Sequence, residues 1–254
     1  MKKWSRILYI VASVVLLISI WQIVIFIGGY EEALLPSPIT VGKGIITLIV
    51  TGTIFEHVGI SLMRFFIGYF SAVITAVIFG LILGRTKRIW QVLDPIVQVI
   101  RPVAPIAWAP FIVLWFGIGS IPAIVIIFIA AFFPVLLSTV SAVRKIDTTY
   151  LKVAQNLEIK QPQLMYKIIF PAAFPSIANS LHIALGTAWI FLVSGEMVGA
   201  QSGLGYLIID SRNALDLDLV LAGIIFIGVL GLLLDKGISL FERWVEKMWG
   251  VYTQ

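Results

Sequence analysis

Few side chains in this sequence could act as catalysts. The chain has two histidines, His57 and His182, and no cysteine, which excludes disulfides, thiolate metal sites and a cysteine nucleophile. Ser180 lies two residues before His182, a pair that could suit acyl transfer by a serine hydrolase. No Gly-x-Ser-x-Gly turn surrounds Ser180, and residues two apart on a helix point to different sides. We interpret His182 as a packed polar side chain, with a membrane-embedded hydrolase as the enzymatic alternative.

Metal, nucleotide and ion-coupling signatures are equally sparse. Two histidines without paired carboxylates do not predict a metal site. The sequence has no Gly-x-x-x-x-Gly-Lys-[Ser/Thr] loop, so we expect no ATP site and no cofactor in this chain. Carriers driven by protons or ions keep ionisable residues inside the membrane, and only Glu196 comes near such a position. Glu196 is interpreted either as a carboxylate that faces water or as part of an external gate, and the energy source is expected to lie in another chain.

The elements that carry these residues are predicted to be membrane-spanning helices. Of 254 residues, 60% are hydrophobic and 12% are charged, and the mean hydropathy of +1.05 excludes a soluble domain. Uncharged runs of about 20 residues are long enough to cross a bilayer. We therefore predict an all-α membrane protein, with a single transmembrane domain over residues 1–254 and six spans. The spans are predicted at 7–27, 65–84, 102–116, 121–143, 168–195 and 219–235, with a long loop at 144–167.

The distribution of charges predicts an orientation. With the N-terminus inside, 15 of the 18 Lys and Arg residues fall on cytoplasmic segments, and only Lys43, Arg64 and Arg212 fall outside. This split follows the positive-inside rule. We expect a location in the plasma (inner) membrane of a prokaryote, with both termini cytoplasmic. The basic pI near 9.5 then reflects topology, and nucleic acid is not expected as a partner.

Small residues recur at every fourth position of the second predicted span. They are Gly68, Ala72, Ala76, Gly80 and Gly84. A spacing of four puts all five on one face of a helix, where another backbone can approach closely. The pattern predicts a tight helix–helix seam, either within the subunit or across a dimer.

The 144–167 loop resembles the coupling-loop motif of ABC importer permeases. That motif has a Glu-Ala-Ala triplet, a glycine four residues later and an ending of an apolar residue and proline. Here 152–154 (Lys-Val-Ala) stands for the triplet, Glu158 for the glycine and 170–171 (Phe-Pro) for the ending. Other segments, in the right order, are similar to permeases of the nitrate, sulfonate, taurine and bicarbonate importer branch. They are 34–38 (Leu-Leu-Pro-Ser-Pro), 101–105 (Arg-Pro-Val-Ala-Pro), 114–119 (Leu-Trp-Phe-Gly-Ile-Gly) and 195–206 (Gly-Glu-Met-Val-Gly-Ala-Gln-Ser-Gly-Leu-Gly-Tyr).

The resemblance implies the type I ABC importer permease fold, with a cytoplasmic coupling-helix loop and no enzymatic activity in this chain. It implies a second copy of the chain, two cytoplasmic ATP-binding subunits that hold ATP and Mg, an external solute-binding protein and the bilayer as partners. The solute would be a small anion of the nitrate, sulfonate, taurine or bicarbonate type, or alternatively a pyrimidine (thiamine-precursor) or flavin-type compound. A self-sufficient channel or secondary carrier is the alternative from a different class.

The resemblance also indicates candidate site residues. Docking to the ATP-binding subunits is expected of Val153, Ala154, Leu157, Glu158 and Gln161. The pore or gate candidates, chosen for polarity, are Trp108, Asn179, His182 and Glu196. At Glu158 a left-handed backbone would cost a non-glycine residue about 1 kcal/mol, so we expect that the helix continues or that a partner offsets the strain. Our hypothesis is a charged contact with the ATP-binding subunit, and a solvated loop carboxylate is the alternative.

Overall fold

The computed structural model describes residues 2–32 and 34–249, and every regular element in that part of the chain is a helix. The α-helices are α1 (Lys2–Gly28), α2 (Pro38–Val50), α3 (Thr53–Arg85), α4 (Lys87–Ile100), α5 (Ala109–Phe116), α6 (Ser120–Arg144), α7 (Thr148–Asn156), α8 (Gln161–Leu164), α9 (Phe170–Gly199), α10 (Leu204–Asn213) and α11 (Leu217–Trp249). A 3₁₀ turn at Pro105–Trp108 precedes α5, and a π-turn at Met165–Ile169 joins α8 to α9. The all-α fold class expected from the sequence is confirmed.

Local sequence signals set where two of these helices begin. The Ser37 hydroxyl accepts a hydrogen bond of 3.2 Å from the Thr40 N–H, and Pro38 occupies the first turn of α2, where no N–H donor is needed. Before α6, Gly117 and Gly119 have φ angles of 75° and 147°. These values favour glycine, and they allow the chain to reverse between α5 and α6 within a few residues.

Five helices of the described residues are long and apolar enough to cross a membrane. They are Leu8–Gly28, Thr53–Arg85, Ser120–Arg144, Pro162–Gly199 and Leu217–Leu240. The segment expected to span at 102–116 differs, because α4 and the Pro105–Phe116 helices are apolar and long enough only as a pair, bent by 86°. Prolines at positions 102 and 105 have no N–H to donate, so a continuous helix ends there. The third predicted span is therefore a broken helix.

The packing of α3 against α6 shows that this broken helix returns the chain across the bundle. A Cβ built on Gly68 would meet Ile127, and one on Gly84 would meet Val143, so the two helices run parallel. A chain that runs twice in one direction must return between the two passages, and α4 to α5 is the only connection. The end of the bundle that holds Arg85 and the 144–167 segment is called the loop end, and the opposite end is called the ion-pair end.

Helix α9 runs antiparallel to both α3 and α6 and closes the core. Gly195 lies beside Ala123 at the start of α6, and the Ser138 hydroxyl donates to the Ser176 carbonyl at 3.0 Å near its other end. The α9 side chain of Trp189 donates to the Ile227 carbonyl of α11 at 3.2 Å. Helices α3, α6, α9 and α11 thus form the bundle that positions the sites described below.

Candidate translocation and coupling sites

A buried ion pair joins α3 to α9 at the ion-pair end. An Arg64 guanidinium nitrogen lies 2.8 Å from a Glu196 carboxylate oxygen, and the two residues are 1% and 0% exposed. Arg64 also donates to the Ser202 carbonyl at 2.6 Å, to the Ser202 hydroxyl at 2.8 Å and to the Ser120 hydroxyl at 3.1 Å. One guanidinium therefore links α3, α6, α9 and the segment that leads into α10.

The same cluster caps helix α10. The Gly205 N–H donates to Glu196 at 2.9 Å, and the Leu204 N–H donates to the Ser61 hydroxyl at 2.8 Å, which in turn donates to the carboxylate. The first N–H groups of a helix have no partner within the helix, so these side chains from α3 and α9 supply it. Gly203, before the helix, has φ of +102°, and a Cβ there would collide with the Glu196 carboxylate. The segment is thus built around the ion pair.

The burial of Glu196 corrects the interpretation of that residue as a carboxylate that faces water. Hydropathy patterning assigned Arg64 to the external surface, because it precedes the uncharged run of the second predicted span. In the structure it lies inside α3, which begins at Thr53. Arg64 and Glu196 are 132 residues apart, so no local sequence signal predicts that they pair. The sequence does show that Ser61 and Arg64 are three residues apart, a spacing that places both side chains on one face of a helix.

The two histidines have separate environments. His57 accepts a hydrogen bond of 3.0 Å from the Gly203 N–H through Nδ1, so it belongs to the ion-pair cluster. His182 Nε2 lies 3.1 Å from the Ser239 hydroxyl of α11. The Ser180 hydroxyl donates to the Ile177 carbonyl at 2.6 Å. Ser180 and His182 therefore have different hydrogen-bond partners, and the serine hydrolase suggested by this pair receives no support.

The four pore or gate candidates do not converge. Trp108, in the 3₁₀ turn, packs against a small cluster that includes Ala109 and Ile126. Asn179 lines a cavity between α6 and α9, whereas His182 faces α11 and Glu196 is buried in the ion pair. Polarity alone therefore selected residues with different surroundings.

The five small residues of α3 lie against α6 of the same chain. Ala72, Ala76 and Gly80 are buried, and a Cβ on Gly80 would stand 2.5 Å from the Thr139 Cβ. A Cβ on Gly84 would stand 2.6 Å from the Val143 Cβ. Such short separations require backbones in close contact, and only small residues allow that approach. We propose that this face is the helix-packing seam within each subunit.

The 144–167 segment folds as two short helices on a small apolar base. Ala154 is buried among Leu164, Ile159 and the ends of α6 and α9. Before α7, the Asp147 carboxylate accepts the Thr149 N–H at 2.8 Å, and this hydrogen bond holds the pKa of Asp147 below its usual range. Among the expected docking residues, Val153, Leu157 and Glu158 are exposed, Ala154 is buried, and the Gln161 side chain lies outside the described residues.

Glu158 ends this helix in a conformation that usually belongs to glycine. Its φ is 52°, and the Ile159 N–H donates to the Ala154 carbonyl at 3.0 Å, five residues back. With Ile159 and Ala154 in the same apolar cluster, this arrangement has the features of a Schellman cap. Of the two alternatives for Glu158, the structure therefore has the left-handed backbone and not a continued helix.

Replacing Glu158 by glycine is expected to stabilise the end of α7 by about 1 kcal/mol, because glycine adopts this φ without a steric cost. Hydrogen exchange of the α7 amides should slow in Glu158→Gly and stay unchanged in Glu158→Gln, which keeps a side chain at the same φ. If the glycine variant instead exchanges faster, the carboxylate itself stabilises the turn.

Comparisons with known proteins agree with this architecture. A profile of the binding-protein-dependent transport system inner membrane component family matches residues 72–247. The chain is 37% identical to the proposed aliphatic sulfonates transport permease protein of Bacillus subtilis (strain 168). That alignment covers 89% of this chain and 82% of the relative. It is 32% identical to the taurine transport system permease protein of Escherichia coli (strain K12), in an alignment that covers 92% of this chain and 86% of the relative. It is 31% identical to a nitrate import permease protein of Synechocystis sp., in an alignment that covers 92% of this chain and 87% of the relative.

A solved structure supports the fold. A chain of the MetNI methionine ABC transporter, in an inward-facing conformation, superposes with a TM-score of 0.68 at 20% identity. The match covers 77% of this chain and 97% of that one, so the fold is that of an ABC transporter permease. Proteins of this kind are transport subunits and not enzymes, and they depend on ATP hydrolysis in a partner subunit. The chain belongs to the binding-protein-dependent transport system inner membrane components, in the nitrate, sulfonate, taurine and bicarbonate branch of ABC importer permeases.

Proposed function

We propose that two copies of this chain form the translocation path for a small oxyanion in the plasma (inner) membrane of a prokaryote. Two ATP-binding subunits dock at the loop end, where ATP and Mg²⁺ drive the cycle, and an external solute-binding protein delivers the solute at the ion-pair end. An exposed apolar face on α7 is the observation that carries this proposal.

This apolar face has the position and chemistry of a docking surface. Tyr150 and Val153 lie three positions apart on α7, and Leu157 follows four positions later in the turn that ends the helix. These three side chains are 60%, 51% and 67% exposed. Helix α7 is not among the helices that are long and apolar enough to cross a membrane, so we place these side chains outside the bilayer. Grouped apolar side chains outside the bilayer indicate a protein partner. An ATP-binding subunit is the partner that the family offers.

The basic residues support the orientation. Arg85 ends α3 at the loop end, Lys87 and Arg88 begin α4 there, and Arg144 and Lys145 lie at the end of α6. The excess of Lys and Arg on one side of a membrane protein marks the cytoplasmic side. Both termini are then cytoplasmic, and the ion-pair end faces outward.

The choice of solute is supported by the relatives. Their names assign them aliphatic sulfonates, taurine and nitrate, and each of these solutes carries a sulfonate or nitrate oxyanion group. We therefore propose a small oxyanion for this chain.

Replacing Leu157 by aspartate is expected to lower ATP-dependent uptake at least about tenfold, because a desolvated carboxylate opposes docking of an apolar face. The measurement is uptake of labelled nitrate and taurine into vesicles that contain the chain with its ATP-binding and solute-binding partners. Asn156→Asp is the matched control, since it adds the same charge to another side of α7. Uptake by the purified chain without ATP would contradict the proposal and favour a self-sufficient channel or secondary carrier.

A further inference from the structure

A cavity with a cationic side chain lies between α6 and α9 and opens at the surface of the bundle, where Arg101 and Asn179 are exposed. Its volume is about 380 Å³. Its polar lining consists of Arg101, Ser138, Asn179 and Ser180. Neither Arg101 nor Ser138 was among the pore candidates taken from the sequence, and Arg101 was counted there as a cytoplasmic surface charge.

Two features of the fold show that this cavity lies within the apolar layer. Pro134 and Ser138, which line it, are ten and six residues before Arg144, and a rise of 1.5 Å per residue puts them about 9–15 Å from the loop end. Helix α4 starts near that end, with Trp90 stacked under the Arg144 guanidinium at 5.7 Å. It then leads inward to Arg101, where the proline-rich break turns the chain.

The donors in this cavity lack a protein acceptor. Within residues 2–32 and 34–249, no carboxylate lies at ion-pair distance from Arg101, and the Asn179 amide makes no hydrogen bond. Ser138 and Ser180 are different, because their hydroxyls donate to the carbonyls of Ser176 and Ile177. The cavity thus offers one positive charge and one amide donor.

This face of the bundle is expected to meet protein or water and not lipid. A charged guanidinium inside a bilayer is costly and is normally found towards protein or a water-filled cavity. A groove of about 430 Å³ between α3, α9 and α11 differs from this cavity, because its lining consists of aromatic and aliphatic side chains such as Phe66, Phe70 and Leu233. That groove suits acyl chains, whereas the Arg101 cavity suits water and a polar solute.

We infer that Arg101 and Asn179 form an oxyanion-binding station within the translocation path. The planar guanidinium can donate two parallel hydrogen bonds to two oxygens of one oxyanion, and the Asn179 amide can donate to a third oxygen. The inference rests on the proposed function and adds the residues that would select the anion. Without the buried Glu196 and Arg64, the segments expected on the outside carry six acidic residues against two basic ones, so anion preference must arise locally.

The absence of cysteine allows a direct test of the cavity. In membrane vesicles, Ser138→Cys should react with a water-soluble methanethiosulfonate, and the control Leu232→Cys on the exposed side of α11 should not. The ratio of rates for the anionic sulfonatoethyl reagent over the cationic trimethylammonium reagent should fall about tenfold or more when Arg101→Gln is added. No labelling of Ser138→Cys, or a ratio unaffected by Arg101→Gln, would overturn the inference.

Transport by the complete complex provides the second test. Arg101→Gln is expected to reduce uptake of labelled nitrate, bicarbonate or taurine about tenfold or more, and Arg101→Lys less, because lysine keeps the charge without the paired donors. Arg88→Gln, at the loop end, is the control, and gel filtration verifies assembly of each variant. Assembled Arg101→Gln with uptake within about twofold of the parent would refute the station. A parent complex that takes up no anion would refute the proposed function instead, while the labelling ratio still tests the cavity.

Discussion

Replacing Glu196 by alanine is expected to destabilise this protein by about 3–5 kcal/mol, the usual result when one partner of a buried ion pair is removed. The Arg64 guanidinium would stay buried without its counter-charge, and the Gly205 N–H would lose its acceptor. At roughly 2–4 °C per kcal/mol, the melting temperature of the purified chain in detergent should fall by about 10 °C. Thermal unfolding followed by size-exclusion chromatography measures this change.

Three further variants identify the cause. Arg64→Ala should be as harmful, because it leaves the Glu196 carboxylate buried and unpaired. Glu196→Gln keeps the shape but turns an amide nitrogen or oxygen towards each donor, so its loss of stability should be intermediate. Arg212→Ala removes an exposed charge from α10 and should change stability by about 0.5 kcal/mol or less. Equal melting temperatures for Glu196→Ala and Arg212→Ala would mean that the ion pair does not hold the end of the bundle.

The sequence contains enough information for the helices but not for this cluster. A hydropathy window averages over many residues, so a single charge inside an apolar helix is shifted to the nearest boundary. That is why Arg64 was assigned to the external surface and Arg101 to the cytoplasmic one. In the structure, Arg64 is buried against α9, and Arg101 lines a cavity between α6 and α9. In both cases the packing of distant helices, and not the local composition, determines where the charge can lie.

The loop and the seam illustrate a different limit. The spacing of small residues in α3 is periodic and can be read locally, yet it does not say which helix approaches. The end of α7 at Glu158 could be anticipated only from the resemblance, since glutamate itself gives no signal for a left-handed turn. The bend between α4 and α5 was indicated by two prolines, but a run of uncharged residues outweighed them in the prediction of a span at 102–116.

Bulk added to the α3 seam is expected to weaken the bundle strongly, because the neighbouring atoms cannot move away. A Cβ on Gly80 would stand 2.5 Å from the Thr139 Cβ and 3.3 Å from the Leu136 carbonyl oxygen. Thr139 is buried, and its hydroxyl donates to the Val135 carbonyl at 2.7 Å, so its side chain is fixed. Gly80→Ala should therefore cost about 1–3 kcal/mol, as overpacking does, and Gly80→Leu should cost more.

A second glycine of the same helix provides the matched control for this prediction. Gly59 has no atom near the position that a Cβ would take, so Gly59→Ala adds the same methyl group to α3 without a collision. Since alanine favours helix over glycine by about 1 kcal/mol, Gly59→Ala should leave the melting temperature unchanged or raise it. The two alanine variants must then move in opposite directions in one thermal unfolding assay. If Gly80→Ala also raises the melting temperature, α3 and α6 are not in close contact at that level, and the role of the small residues as a seam must be abandoned.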